Sequence, residues 1–203
     1  MRKVLGKLNF DMKFSINKNI KIILIQILLL ILVSLVFYFW KGLPLVIIFA
    51  ILWIDKAVLS HLKIHGEFGI ELFTIPVILS GIIYGPLFGF FFGFLVFSLI
   101  GGLIEMISWF ISRPFEVGWP PIIPSPESFI IGLMGLTAGL LNGLPFILIV
   151  LIATVMRNIL APIWQRITTD EPIRMAYALN VVYNLALAFV VGDFLLGIVT
   201  RGF

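Results

Sequence analysis

From Ile22 to Trp40 the chain carries no charge, and almost every residue is Ile, Leu, Val or aromatic. An apolar run of about 18 residues or more is the length a helix needs to cross the hydrocarbon of a bilayer. Residues 20–40 are too long for the apolar part of a signal peptide and lack a small-residue cleavage site, so they read as a membrane span. Tyr38 and Trp40 then sit at its outer end as interface anchors. Further apolar stretches follow at 45–60, 70–84, 87–111, 129–141, 146–160 and 175–199.

Composition agrees: 61% of residues are hydrophobic, 12% are charged, and mean hydropathy is +1.18. Soluble domains carry about 45–50% apolar and about 25% charged residues. Lipid must therefore be part of the solvent, and hydrocarbon offers nothing to bond a bare amide, so the spans must be helices. The expected fold is all-α: a polytopic membrane helix bundle of six or seven transmembrane helices with glycine-rich packing, a single domain over 20–203 after a basic segment at 1–19. The doubtful stretch is 45–60, which turns polar at Asp55 and Lys56.

Six of the fourteen Lys and Arg residues fall in the first 21 positions. Beside a long apolar run, such a head holds the N-terminus on the cytoplasmic side, against anionic lipid. The net charge of +4 is thus explained by topology, with the bilayer as partner and no nucleic acid. With seven spans, Lys56, Lys63, Arg113, Arg157, Arg166 and Arg174 also fall near the cytoplasm and leave Lys41 and Arg201 outside. With six spans the basic residues divide evenly, and the N-terminal head alone sets the orientation.

Gly81, Gly85, Gly89 and Gly93 recur at four-residue spacing, and Gly132, Gly135, Gly139 and Gly143 follow a similar rhythm. Small residues at this spacing make a smooth stripe that lets helix backbones approach closely in lipid. The stripe serves packing between neighbouring helices, or presents a face to a partner subunit.

Ionisable and amide groups inside spans are costly and are functional candidates by default. Glu105, Trp109 and Arg113 lie at i, i+4 and i+8. They suit a pocket with acceptor, stacking face and donor, or a helix end reaching for the interface. Asn180 and Asn184 share one face of the last span, as glue between helices or as ligand contacts. Arg157 closes one span, and Trp164 and Arg166 follow it; Asp193, deep in the last span, is expected to pair with Arg157. Glu71 begins a span beside Thr74. His61 and His65 have the i, i+4 spacing of two metal ligands, but surface histidines of an amphipathic segment explain them equally, and no metal site is expected. No phosphate loop or nucleophile elbow is present, and the chain has no cysteine. Neither an enzyme activity nor a cofactor is expected.

The stretch IPVILSGIIYGPLFGFFFG at 75–93 resembles the substrate-binding S components of energy-coupling factor (ECF) vitamin transporters. There too a helix with an early proline ends in Gly-Pro, and the next opens with glycines four apart. The order that follows is similar: a Pro-rich loop, a short Gly-rich span, a turn, a span, a polar loop and a last span with asparagine. The resemblance covers about residues 68–200. It implies a six-helix bundle that captures a vitamin-sized solute from outside and works with a membrane coupling subunit driven by two ATPases. Ligand loops would fall around 113–126 and 163–174, with Trp109, Arg113, Trp119, Trp164, Asn180 and Asn184 at the solute. The family's Ala-x-x-x-Ala contact for the coupling subunit is absent from 20–40 and 45–60. The glycine pattern is also similar to rod-shape-determining membrane proteins, which implies a non-enzymatic scaffold acting through its glycine faces.

Overall fold

The computed structural model describes residues 23–59, 71–103, 126–169 and 176–201, and among them it is helical, with no strand. Seven helices follow one another. They are α1 (Ile23–Lys41), α2 (Leu43–Ile54), α3 (Thr74–Tyr84), α4 (Pro86–Leu103), α5 (Pro126–Leu140), α6 (Phe146–Thr169) and α7 (Ala176–Arg201). Helices α1, α4, α6 and α7 are each long and apolar enough to cross a membrane. The basic segment 1–19 lies outside the described residues.

The chain reverses at each short turn. Gly42 and Gly85 carry φ of +81° and +94°, which end one helix and aim the next backward, with Pro44 and Pro86 opening the new helices. These turns meet at one end of the bundle. The Tyr84 hydroxyl donates to the Lys41 carbonyl at 3.3 Å, and the Asn142 amide donates to the Ile82 carbonyl at 3.1 Å. The Lys41 ammonium lies over the rings of Trp40 and Tyr84 at the same end. The starts of α3, α5 and α7 and the far ends of α2 and α6 gather at the other end.

Every residue of α3 from Thr74 to Gly81 is buried. That explains a helix too short for a lone span yet apolar on all sides: it is the axis around which the others pack. Leu45, Ile48, Phe49 and Leu52 of α2 are fully buried beside it. By contrast α1 and α7 turn many Ile, Leu, Val and Phe side chains outward, as lipid-facing helices do.

The doubtful stretch is helical over its described residues, 45–59, and α2 runs on from Ile54 into a widened π turn at Asp55–Leu59. A second π turn, Phe92–Val96, interrupts α4. Such turns frequently mark functional sites. One expectation is corrected here. A span was expected to end at 160 and a ligand loop to fall around 163–174, but α6 continues through Pro162 to Thr169. A proline removes one amide donor and crowds the carbonyl a turn earlier. In an apolar setting, unwinding the helix would strand still more backbone groups, so the helix persists.

The glycine stripe is used inside the chain. A Cβ built on Gly89 would meet the Gly135 carbonyl oxygen at 2.6 Å, and one on Gly93 would meet the Ile131 oxygen at 2.7 Å. Gly81 and Gly135 are tighter still, each against the other helix's backbone. Helices α3 and α4 thus both press their backbones onto α5, where any side chain would force them apart.

Candidate functional site

At the end of the bundle opposite the short turns, charged and amide side chains from five helices and their flanks converge. The Arg157 guanidinium, halfway along α6, forms a buried ion pair with Glu71, which precedes α3. Arg157 Nη2 also reaches the second Glu71 oxygen at 3.2 Å, so the fork is bidentate, the strongest geometry such a pair has. Asn180 of α7 donates to Glu71 Oε1 at 2.6 Å. Asn158 of α6 donates to Asn180 Oδ1 at 2.9 Å. Asn184, one turn further along α7, donates to the Asn180 carbonyl at 3.0 Å. Arg157 is 4% exposed and Asn184 is fully buried.

Two more carboxylates stand around this core. Asp55, at the π turn that ends α2, is fully buried, accepts from the Leu72 amide and lies within electrostatic reach of Arg157. Glu127, in the first turn of α5, is exposed and lies 3.6 Å from Arg157 Nη2, at the rim of the cluster. Phe73 sits in the middle. The Arg157 guanidinium carbon is 4.7 Å from its ring centre, the Lys56 ammonium is 5.2 Å away, and the Phe97 ring packs against it at 4.7 Å. Lys56 is closer to Phe97, at 3.8 Å, which ties the two π-turn regions together.

Several buried polar atoms have no hydrogen-bond partner among the described residues: Thr74 Oγ1, Arg157 Nε, Asn158 Oδ1 and Asn184 Oδ1. A buried polar group left without a partner costs about 1–3 kcal/mol. In an apolar bundle such atoms call for a ligand or ordered water.

The site residues expected from sequence divide sharply. Arg157, Asn180 and Asn184 come together in this cluster. Trp164 lies on α6 two turns beyond Arg157 and is exposed, on a helix rather than in a ligand loop. Glu105, Trp109, Arg113, Trp119, His61 and His65 lie outside the described residues. The expected Arg157–Asp193 pair is not formed. Gly192 packs against Phe146, the first residue of α6, so its neighbour Asp193 sits at the turn end of the bundle, eleven residues of α6 away from Arg157. It is exposed there and makes no ion pair with a described residue. Glu71 takes its place. Gly81, Gly89 and Gly93 face α5, and Gly85 forms the α3–α4 turn, so the stripe is spent within the fold.

The sequence reading overlooked Asn158, Phe73 and Glu127 as members of the site. The available signal was position: each stands beside a polar candidate at a helix start or on a helix face. No family model matches the chain, and no curated protein or solved structure matches it.

Proposed function

We propose that this chain is a multi-pass protein of the cell membrane that binds a small polar solute at the Arg157 cluster, as the substrate-binding subunit of a transporter. One observation carries the reading: a bidentate buried ion pair with unpartnered amide and hydroxyl atoms at the heart of an apolar bundle. Groups of this kind are expensive in lipid and mark solute or ion pathways by default. The resemblance to ECF S components points to a solute and to an energising partner, a membrane coupling subunit with ATPases, but it implies six spans and capture from outside, whereas a seven-span topology puts the cluster on the cytoplasmic side. A scaffold acting through its glycine stripe gains no support, because that stripe already holds α3, α4 and α5 together.

Mass spectrometry of small molecules that co-purify with the detergent-solubilised chain tests the reading. A solute should travel with the native protein and be lost from Asn184→Leu. Leucine keeps the branching of asparagine; it removes an amide whose oxygen has no partner and whose nitrogen donates to the Asn180 carbonyl, so folding should weaken by about 1–2 kcal/mol and the variant should still purify folded. A native protein that carries nothing, or a variant that retains its solute in full, would count against it.

We read all seven helices as spans. Alternation then puts the Arg157 cluster on the side of the basic N-terminal segment, and with it every Lys and Arg except Lys41 and Arg201. By the positive-inside rule that side is cytoplasmic. Because the chain has no cysteine, a single introduced thiol reports its own side. Leu144→Cys, exposed in the α5–α6 turn, should react with a membrane-impermeant maleimide added to intact cells. Labelling only after lysis would invert the topology.

A further inference from the structure

Resting on the solute-binding reading, we propose that the solute is held one helical turn deeper than the Arg157–Glu71 pair. The group held there is uncharged and both donates and accepts a hydrogen bond, as an amide does.

The bundle is layered at this end. The outer layer is charged, with Asp55, Glu71, Glu127 and Arg157. One turn further in means three or four residues along each helix. Helices α3, α5 and α7 run away from the cluster, and α2 and α6 run toward it. That step therefore leads to Thr74, Ile131, Asn184, Leu52 and Thr154. All five are fully buried and none is charged. One more turn leads to Phe49, Ile78, Met134, Val150 and Ala188, which are buried and wholly apolar. A buried layer of uncharged hydrogen-bonding groups thus stands between the charges and the apolar core.

Hydrogen-bonding capacity is left over in this middle layer. The Thr154 hydroxyl donates to the Val150 carbonyl at 2.6 Å and keeps only its capacity to accept. The Asn184 nitrogen donates to the Asn180 carbonyl at 3.0 Å, which fixes the amide's orientation and leaves its oxygen an acceptor without a partner. The Thr74 hydroxyl has no partner and can both donate and accept. Three helices thus present one free donor among several acceptors. An amide answers both kinds, its N–H for the Asn184 oxygen and its carbonyl for the Thr74 hydroxyl. A group that only accepts leaves the Asn184 oxygen as it was.

The same layering excludes charge. An ion stripped of water needs a counter-charge beside it. Among the described residues the middle layer supplies none, and the guanidinium one turn out is already forked onto Glu71. An uncharged group meets no such penalty.

Thermal unfolding of the full chain in detergent tests this. The probes are butanamide, pentan-2-one, butylammonium chloride and sodium butyrate, at equal concentration and ionic strength. Pentan-2-one has the size and carbonyl of butanamide without its N–H. Butanamide should raise the midpoint by about 3–6 °C over pentan-2-one at ten times its half-saturating concentration. The rise should vanish in Asn184→Leu and in Thr74→Val, and persist in Asp193→Asn at the far end of the bundle. Thr74→Val keeps the branched shape and breaks no bond, because the hydroxyl has no partner, so it reads binding without a folding defect. A larger rise with either ion overturns the uncharged class and leaves solute binding standing. An equal rise with pentan-2-one, or a butanamide rise undiminished in both variants, overturns the proposal. No rise with any probe leaves these atoms to ordered water and also overturns it. The solute-binding reading falls as well only if the native protein co-purifies with nothing.

Discussion

Gly135→Leu should abolish the folded protein, seen as loss of the monodisperse peak in detergent gel filtration. At this position a Cβ would lie on top of the Gly89 carbonyl group, backbone against backbone, with no flexible side chain to move aside. Gly89 meets Gly135 and Gly81 in turn, so displacing α5 from one partner displaces it from both. Even Gly135→Ala should cost about 3 kcal/mol, at the upper end of ordinary overpacking, because relief requires moving whole helices. Two controls separate this from generic sensitivity to glycine loss. A Cβ on Gly197 of α7 meets nothing within 4 Å, so Gly197→Ala should be neutral or stabilising by up to about 1 kcal/mol. Gly85→Ala also has open space, but its φ of +94° strains any L side chain, at a cost of about 1–2 kcal/mol. A Gly135→Leu protein that unfolds at the native temperature would refute the packing of α3 and α4 on α5.

Arg157→Met should destabilise the protein by about 3–5 kcal/mol in reversible denaturation from mixed micelles, because it takes the bidentate guanidinium away from a buried carboxylate. Glu71→Leu should cost a similar amount, since among the described residues Arg157 then keeps only Glu127 within ion-pair distance, and that carboxylate is exposed. The double variant should recover most of the loss, because replacing both charges by apolar groups removes the desolvation cost along with the attraction. Asn180 would lose its Glu71 acceptor but keep its bond from Asn158, so a residue of about 1–3 kcal/mol should persist. The interaction term of this cycle should therefore be large and opposite in sign to the single losses. Additive losses would mean that the two side chains do not share a bond. The folded double variant should also co-purify with no solute, which distinguishes a binding role for the pair from a purely structural one.

The architecture was largely legible because it rests on local signals. Apolar runs place the helices, and Gly42-Leu-Pro44, Gly85-Pro86 and Asn142-Gly-Leu-Pro145 place the reversals. The four-residue glycine rhythm marks a close backbone contact, although it does not say with what. The site was only half legible. Asn180 and Asn184 declare themselves by spacing on one face, and Arg157 by its charge within an apolar run. Its partner does not, because Glu71 is 86 residues away and nothing local links them. Pairing Arg157 with Asp193 matched two isolated charges by their apparent depth. Counting from the turns removes that error: α6 leaves the turn end and α7 returns to it, so residues near 157 meet those near 180, and 193 lies back at the turns. The loop expected around 163–174 failed for a different reason, since α6 runs through Pro162. Proline usually ends a helix in water, where freed carbonyls find partners, and an apolar environment withdraws that alternative.

The shared glycine ridge also bears on how the chain is made. Helices α3 and α4 leave the ribosome as a hairpin whose smooth faces are built for α5, a helix separated by twenty-two residues from the described end of α4. Until α5 has been synthesised and inserted, those faces have no partner of their own, so the central helix α3 reaches its final setting late in translation. Quality control that samples the nascent chain in this interval would meet an exposed strip of bare backbone, and truncation before Pro126 should yield a product that is degraded rather than stored.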